Sequence, residues 1–320
     1  LILLYHRIFP DSTSKSQWYS GPVLRFSDFK NQINWLQKHF NIVPLAEIVR
    51  MRKAGKRDHG KMIALTFDDG FQSYYDFLIP YLEENKIPAT FFITTGHLLN
   101  GELAWFSYLN ALCFERIFEK IALDGQEYDL ASEKASRATW KTLLSHIKRS
   151  KSPHTFLSEF SKKYPIPSEI KNNYLGFSKD QIAFIGRSKV LEVGGHTVFH
   201  PFLNTASDQL QIFEINENKR MLEDCINSKV RFFAYPSGAY DTTTIRFLKE
   251  AGFEAAFAVN PKNQSDDKNF EFERTGVYSK SILKVRVKTS PITRFFRKNG
   301  LNFEKFVGFK KNLHVKGRDF

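Results

Sequence analysis

Residues 62–70 read Met62-Ile63-Ala64-Leu65-Thr66-Phe67-Asp68-Asp69-Gly70, an apolar strand-like run ending on two adjacent carboxylates and a glycine. Parallel α/β architectures gather ligands and catalytic groups at the C-terminal edge of their strands, where this pair falls. Adjacent carboxylates repel each other, so holding both ionised favours a nearby cation. Asp-Gly is also a common turn dipeptide, and the stretch alone reads equally well as a turn. Its surroundings are therefore informative. Upstream, Leu1–Tyr5 is a buried-strand pattern, and Ser27 stands as an N-cap before Phe29, Ile33, Leu36 and Phe40 on one helical face. A short helix from Ala46 ends near Gly55. Downstream, the pattern predicts a helix over 74–85 and a strand over 90–94. Strand–helix–strand spacing of this kind indicates parallel βαβ units.

Between about Gly96 and Lys189 the rhythm changes to long helical patterns, roughly 105–123 and 140–163, broken by Lys151-Ser152-Pro153, Pro165 and Pro167. The alternation then returns: strand over 190–193, helix over 208–227, strand over 230–235, a helix over 242–251 closed by Gly252, and strand over 253–259. The expected organisation is a first barrel part at 1–95, a mostly helical insertion at 96–189, a second barrel part at 190–280 and a tail at 281–320.

The chain has 320 residues, 42% of them apolar and 25% charged, which excludes a disordered chain and allows a sizeable core. Phe is abundant, 32 residues against 4 Trp and 3 Met, implying a thick ring-filled core or an aromatic surface. Cys113 and Cys225 stand outside any metal-ligand spacing, cannot form a disulfide framework, and read as small buried apolar residues. Net charge is +13, but residues 281–320 hold 11 Lys and Arg against Glu304 and Asp319, so most of the excess belongs to the tail. No run reaches the length of a membrane span and no signal peptide is visible, so a cytoplasmic or membrane-peripheral location is expected.

A second motif follows the returning strand: Gly194-Gly195-His196-Thr197-Val198-Phe199-His200-Pro201. Were the segment helical, His196 and His200 would lie one turn apart with converging rings, a spacing that suits two imidazole ligands on one metal. Without an intervening Glu, the base must come from elsewhere. A third motif, Phe232-Phe233-Ala234-Tyr235-Pro236-Ser237-Gly238, runs from strand into turn, and the Ser237 and Gly238 amides are expected to point at a ligand oxygen. Either motif alone is compatible with incidental histidines or a plain β-turn. Jointly, on one rim of a parallel barrel, they place Asp69, His196 and His200 as a metal site with open positions and leave Asp68 as base for the attacking water.

In this order, TFDDG at 66–70, HTVFHP at 196–201 and FAYPSG at 233–238 resemble the NodB-homology polysaccharide deacetylases of carbohydrate esterase family 4. The resemblance covers about 1–95 and 190–280. It implies a distorted (β/α) barrel and metal-dependent removal of acetyl from an N-acetylated sugar in a cell-envelope polysaccharide or its precursor. Carried over by position, it implies Asp68 as base and Asp69, His196 and His200 as ligands. The Ser237 amide would hold the oxyanion, with Tyr235, Pro236 and Gly238 around the substrate. Zn²⁺ is the expected metal, with Co²⁺ or Ni²⁺ also compatible with the donor set. Two positions depart from the family pattern. Ala234 stands where the family carries an Arg, so Arg231 or, preferably, Arg274 must orient the base. The late Leu-x-His motif is missing after residue 259, while Leu4-Tyr5-His6 matches it at the start. The circularly permuted poly-N-acetylglucosamine deacetylases place this histidine first, which makes His6 the expected general acid.

The remaining histidines (His39, His59, His97, His146, His154, His314) lack spacing partners and read as surface or packing residues. Two further readings share the scaffold: a metal-dependent amidase on a non-carbohydrate substrate, and a non-catalytic glycan- or membrane-binding protein. The intact Asp68/Asp69/His196/His200 set weighs against the second, since a binding module needs no base. In the tail, basic residues interleave with Phe295, Phe296, Phe303, Phe306, Phe309 and Phe320. This pattern suits either an anionic membrane surface or a helix packed on the barrel, and no nucleic-acid partner is expected.

Overall fold

Along Met62–Asp69 side chains alternate between two buried environments, as the two-residue period of a strand requires. Ala64 shares a cluster with Phe92, Phe232, Ala234, Phe257 and Phe272. Leu65 and Phe67 instead join Phe91 and Phe233 and the helical residues Phe29, Ile33 and Leu78. Both faces of the sheet are thus covered, one by the opposite wall of a barrel and one by helices. The abundance of Phe follows: rings pair across the interior, as Phe92–Phe257 (centroids 5.6 Å), and outside it, as Phe67–Phe91 (5.0 Å).

The computed structural model describes residues 1–12, 24–56, 60–149, 153–290 and 293. The barrel strands are β1 (Ile2–Tyr5), β2 (Met62–Asp69), β3 (Ala89–Ile93), β4 (Leu191–Gly195), β5 (Phe232–Ala234), β6 (Ala255–Ala258), β7 (Phe272–Glu273) and β8 (Thr275–Gly276). Neighbours pair in parallel in the order β7-β6-β5-β4-β3-β2-β1-β8. The two ends of this path are separated in the chain by Arg274 alone. The Arg274 N–H donates to Ala258 O and the Val277 N–H to Leu4 O, both at 2.8 Å. One extended segment therefore meets both edges of the sheet and nearly closes it. This is the distorted (β/α) barrel expected from the sequence, and every parallel strand delivers its C-terminal end to the same rim.

Helices Phe26–His39, Tyr74–Glu84, Lys179–Arg187, Asp208–Ile226 and Thr242–Glu250 contribute residues to the outer cluster. The first begins before Ser27, which is not its cap; the Asp28 carboxylate instead reaches back to the Arg25 N–H at 3.4 Å.

Within 96–189 the structure differs from the helical pattern. The helix starting at Trp105 ends at Phe114, and the apolar run beyond it forms an antiparallel hairpin, Lys120–Leu123 with Gln126–Asp129. The hairpin turn is Asp124-Gly125, both with positive φ (52° and 78°), the dipeptide that a tight two-residue turn favours. The long second helix is two, Glu133–Arg149 and Pro153–Lys163, parted at the Lys-Ser-Pro break. Trp105, Leu109, Leu112, Leu143, Ile147 and Tyr164 belong to a cluster separate from the barrel's, whereas Ile182 and Ile185 join the barrel's. Cys113 is buried, Cys225 only partly so.

Of the tail, Ile282–Thr289 is a helix with Val285 and Thr289 buried, and Lys288 Nζ donates to Gly276 O at 2.7 Å. This part packs on the barrel. Phe295, Phe296, Phe303, Phe306, Phe309 and Phe320 lie outside the described residues. Among the described residues no helix is long and apolar enough to cross a membrane.

Candidate active site

Asp68 and Asp69 are the last two residues of β2. Strand alternation alone would send their side chains to opposite faces. Asp69 instead adopts φ 76° and Gly70 φ 73°, which turns the second carboxylate back toward the barrel mouth. Both then approach His196 Nε2, Asp68 Oδ2 at 3.9 Å and Asp69 Oδ1 at 3.7 Å. His200 Nε2 lies 3.8 Å from Asp69 Oδ1. Ligand atoms of Asp69, His196 and His200 all fall within 4.8 Å of one another, and all three residues are buried.

The two histidines converge, but not on a helix. Residues 196–200 form an irregular loop in which Thr197 and His200 have left-handed backbone (φ 65° and 56°), and the rings stand 5.0 Å apart at 75°. Non-glycine residues reach that region only where surrounding contacts over-determine them. Those contacts come from helix Asp208–Ile226. Asn218 Oδ1 accepts the His196 N–H at 3.0 Å, while its Nδ2 donates to Ile93 O, Thr95 Oγ1 and Thr197 O. One turn earlier, Glu214 Oε2 accepts the amides of Val198 (2.7 Å) and Phe199 (2.8 Å). Both side chains are buried. The sequence reading missed this pair; its only trace is a Glu and an Asn four apart, on the buried face of the helix with Gln211, Ile215 and Leu222.

His196 Nδ1 lies 2.7 Å from Ala234 O. A carbonyl can only accept, so Nδ1 carries the proton and the Nε2 lone pair faces Asp69. Burial lowers the basicity of His196, and more strongly that of His200, keeping both imidazoles neutral as ligands must be. Burial, reinforced by the Asp68 charge, pushes the Asp69 carboxyl well above its usual range. This is the penalty a cation would relieve. Two neutral imidazoles and a carboxylate around one point could hold a divalent metal of the zinc class.

Asp68 is held otherwise. Arg274 Nη1 and Nη2 donate to its two oxygens at 2.6 and 2.8 Å, a bidentate pair with both groups buried. Burial raises the Asp68 carboxyl, but the Arg274 charge, then His196 and the Arg274 hydrogen bonds outweigh it, bringing it down to about 2. Arg231, the other candidate, sits before β5 and pairs with Glu192 at 2.5 Å. His6, directly after β1, is half-buried with its Nδ1 enclosed and unpartnered among the described residues, and desolvation lowers it to about 4 against the opposing pull of Asp68.

The turn after β5 corrects one expectation. The Gly238 amide is not free for a ligand: it donates to Tyr235 O at 3.0 Å. The Tyr235 side chain is turned inward as well, stacked on Tyr240 (4.1 Å, 17°) with its hydroxyl donating to Phe270 O at 2.9 Å. Pro236 is buried, and Ser237 holds a left-handed φ of 52°. Among the other histidines, His97 bonds Phe177 O and His154 stacks on Phe199, both packing roles.

A family model for polysaccharide deacetylase matches residues 55–256, more than half of the chain. The chain belongs to the polysaccharide deacetylase family. It is accordingly a hydrolase of amide bonds. The matched span takes in Asp68, Asp69, His196 and His200 but neither His6 nor Arg274. This deacetylase is 24% identical over 278 residues to the poly-beta-1,6-N-acetyl-D-glucosamine N-deacetylase of Staphylococcus aureus (strain MSSA476), across 84% of this chain and 75% of that one. The Staphylococcus epidermidis protein of the same name is 32% identical over 107 residues, 31% of this chain and 37% of that one. Among solved structures, IcaB from Ammonifex degensii superposes with a TM-score of 0.58 at 21% identity, covering 90% of this chain and 96% of its own. The Streptococcus pyogenes deacetylase PplD in complex with acetate gives 0.55 at 18% identity, covering 91% and 97%. Both share the barrel fold.

Proposed function

We propose that this chain removes acetyl groups from N-acetylglucosamine units of a polymer of the poly-N-acetylglucosamine kind, using a divalent metal held by Asp69, His196 and His200. One observation carries the reading: a cluster able to hold a metal lies beside a carboxylate kept ionised by a buried bidentate arginine. When bound, the metal supplies Lewis acidity, polarising the acetyl carbonyl and acidifying water.

The protein residues do the rest. Asp68 accepts the proton of the attacking water, and Arg274 holds both its oxygens so that a lone pair stays aimed at the mouth. The Ser237 amide, at the turn where the backbone is left-handed, donates to the developing oxyanion. His6 delivers a proton to the leaving amine; neutral at rest, it must first take up a proton, and the one that Asp68 accepts from the water is its source, the nearby Asp68 charge favouring the cationic imidazole. A first-placed His6 is in keeping with the resemblance to the circularly permuted poly-N-acetylglucosamine deacetylases. The tail beyond the packed helix, rich in Lys, Arg and Phe, is proposed as a weak anchor to anionic membrane surfaces.

The deciding experiment combines metal analysis of the purified chain with acetate release from N-acetylglucosamine oligomers. Stoichiometric metal together with release is expected. Metal without release from any oligomer, but with hydrolysis of other amides, would move the substrate class away from sugars.

A further inference from the structure

Tyr278 stands two residues past β8 and was not among the residues singled out from the sequence. Its ring is 5.5 Å from the His6 ring, tilted by 41°. A phenol keeps its proton at neutral pH, so the hydroxyl stands beside His6 as a donor. That hydroxyl has no hydrogen-bond partner among the described residues. The ring is nevertheless held. It lies over Gly276, where an added Cβ would come within 2.6 Å of the hydroxyl oxygen, so only glycine there admits it. Lys288 Nζ sits 5.5 Å from the ring centroid and is tied to Gly276 O. Despite this support, Tyr278 is 37% exposed. A fixed aromatic ring with an open face and an unspent donor at the rim is the composition of a ligand-orienting residue, not of a core one.

We infer that Tyr278 is a substrate-contacting residue: its hydroxyl donates to the hexosamine ring that carries the scissile acetamide, and its face backs that ring, turning the leaving nitrogen toward His6. The inference rests on the glycan reading above. An N-acetylated sugar offers both features required, hydroxyl acceptors and an apolar C–H edge.

The test uses the full, metal-loaded chain with Tyr278→Phe, Tyr278→Ala and Gly276→Ala, the last displacing the ring without changing it. Acetate release is measured on N-acetylglucosamine oligomers of two and six units, with metal content in parallel. Tyr278→Phe is expected to lower kcat/KM about tenfold, the worth of one hydrogen bond, and Tyr278→Ala about a hundredfold. Gly276→Ala should fall between them. Metal content should stay at the wild-type level, and the fold-loss should be equal for both oligomers because the contact is to the reacting unit. Wild-type release with Tyr278→Phe and Tyr278→Ala both within twofold of it would overturn the inference, as would a loss confined to the longer oligomer. No release by the wild type itself would instead count against the glycan reading.

Discussion

The barrel rim and the inserted segment bury side chains with equal thoroughness, yet what they bury differs in kind. At the rim, Asp68, Arg274, Glu214, His196 and His200 are all within a tenth of full burial, and Asp69, Thr197, His200 and Ser237 hold left-handed backbone. In the insertion the buried cluster is Leu, Ile and aromatic rings, and its left-handed non-glycine residues are Arg116 and Asp124, outside its helices and strands. Costly conformations are thus concentrated where hydrogen bonds from neighbouring elements fix them, while the insertion is held by ordinary apolar packing. The two regions meet at Gly70–Gln72, where the Phe177 N–H donates to Gly70 O at 2.8 Å and the Gln72 N–H to Leu175 O at 2.9 Å. They meet again at a seam behind the ligand loop. Trp105 Nε1 donates to His200 O at 2.9 Å, Phe106 packs edge-on to the His200 ring at 4.9 Å, and His154 stacks on Phe199 at 3.9 Å. The insertion therefore touches the ligand loop from behind and supplies none of its polar ties to helix Asp208–Ile226.

If the division is right, substitutions at the rim change chemistry and those in the insertion change only stability. The largest effect is expected for His196→Ala, which removes one of the three proposed protein ligands: metal content by elemental analysis should fall and activity with it. Asp68→Asn should keep the metal yet lose roughly 10²- to 10⁴-fold in kcat. Equal metal loss in the two variants would erase the distinction between ligand and base. Asn218→Ala should weaken metal affinity by about 10- to 100-fold, measured by competition with a chromophoric chelator, because it removes four hydrogen bonds that fix the loop, one of them from the His196 N–H. In the insertion, Leu143→Ala should cost about 2–5 kcal/mol of unfolding free energy while leaving metal affinity and kcat per folded molecule unchanged. A change in kcat would mean the seam transmits more than packing.

A subtler contrast concerns pH. Burial raises the Glu214 carboxyl to about 7, with the Phe199 and Val198 amides opposing. A carboxyl raised on folding binds its proton more tightly in the native state. Its contribution to stability is therefore complete below about 4.5 and is lost as pH rises through about 7. Thermal melts of the metal-free protein should fall over that window, and Glu214→Gln should flatten the fall. The smallest expected effect is at the tail. Truncation after Thr293, which spares the packed helix, should reduce sedimentation with anionic vesicles at low salt and leave neutral vesicles unaffected. Equal binding by both chains would leave the segment without that role.

Much of the barrel was legible because β1 to β6 are short, mainly apolar runs whose period and flanking turns are local properties, whereas Phe272–Glu273 and Thr275–Gly276 carry no such run and were not read as strands. The three motifs were legible for the same reason, each being a strand end followed by residues of distinctive chemistry. Local pattern also misled. The i, i+4 spacing of His196 and His200 says that two rings can converge, and a loop with two left-handed residues achieves this as well as a helix turn. Asp124-Gly125 carried a hairpin signal inside a run whose hydrophobic spacing looked helical, and the turn dipeptide outweighed the spacing.

By itself the sequence determined which residue types stand at each strand end, and so the kind of chemistry available at the rim. Only the tertiary structure decided their partners. Arg274 reaches Asp68 because a five-residue segment closes the barrel between two edges more than 200 positions apart in pairing, contact order that no local window contains. Tyr278 comes beside His6 through the same closure, whereas Glu214 and Asn218 become ties for the ligand loop when the helix that follows it packs back across it. A buried polar group must find its partner wherever the fold brings one, and that choice is made by packing across the whole chain.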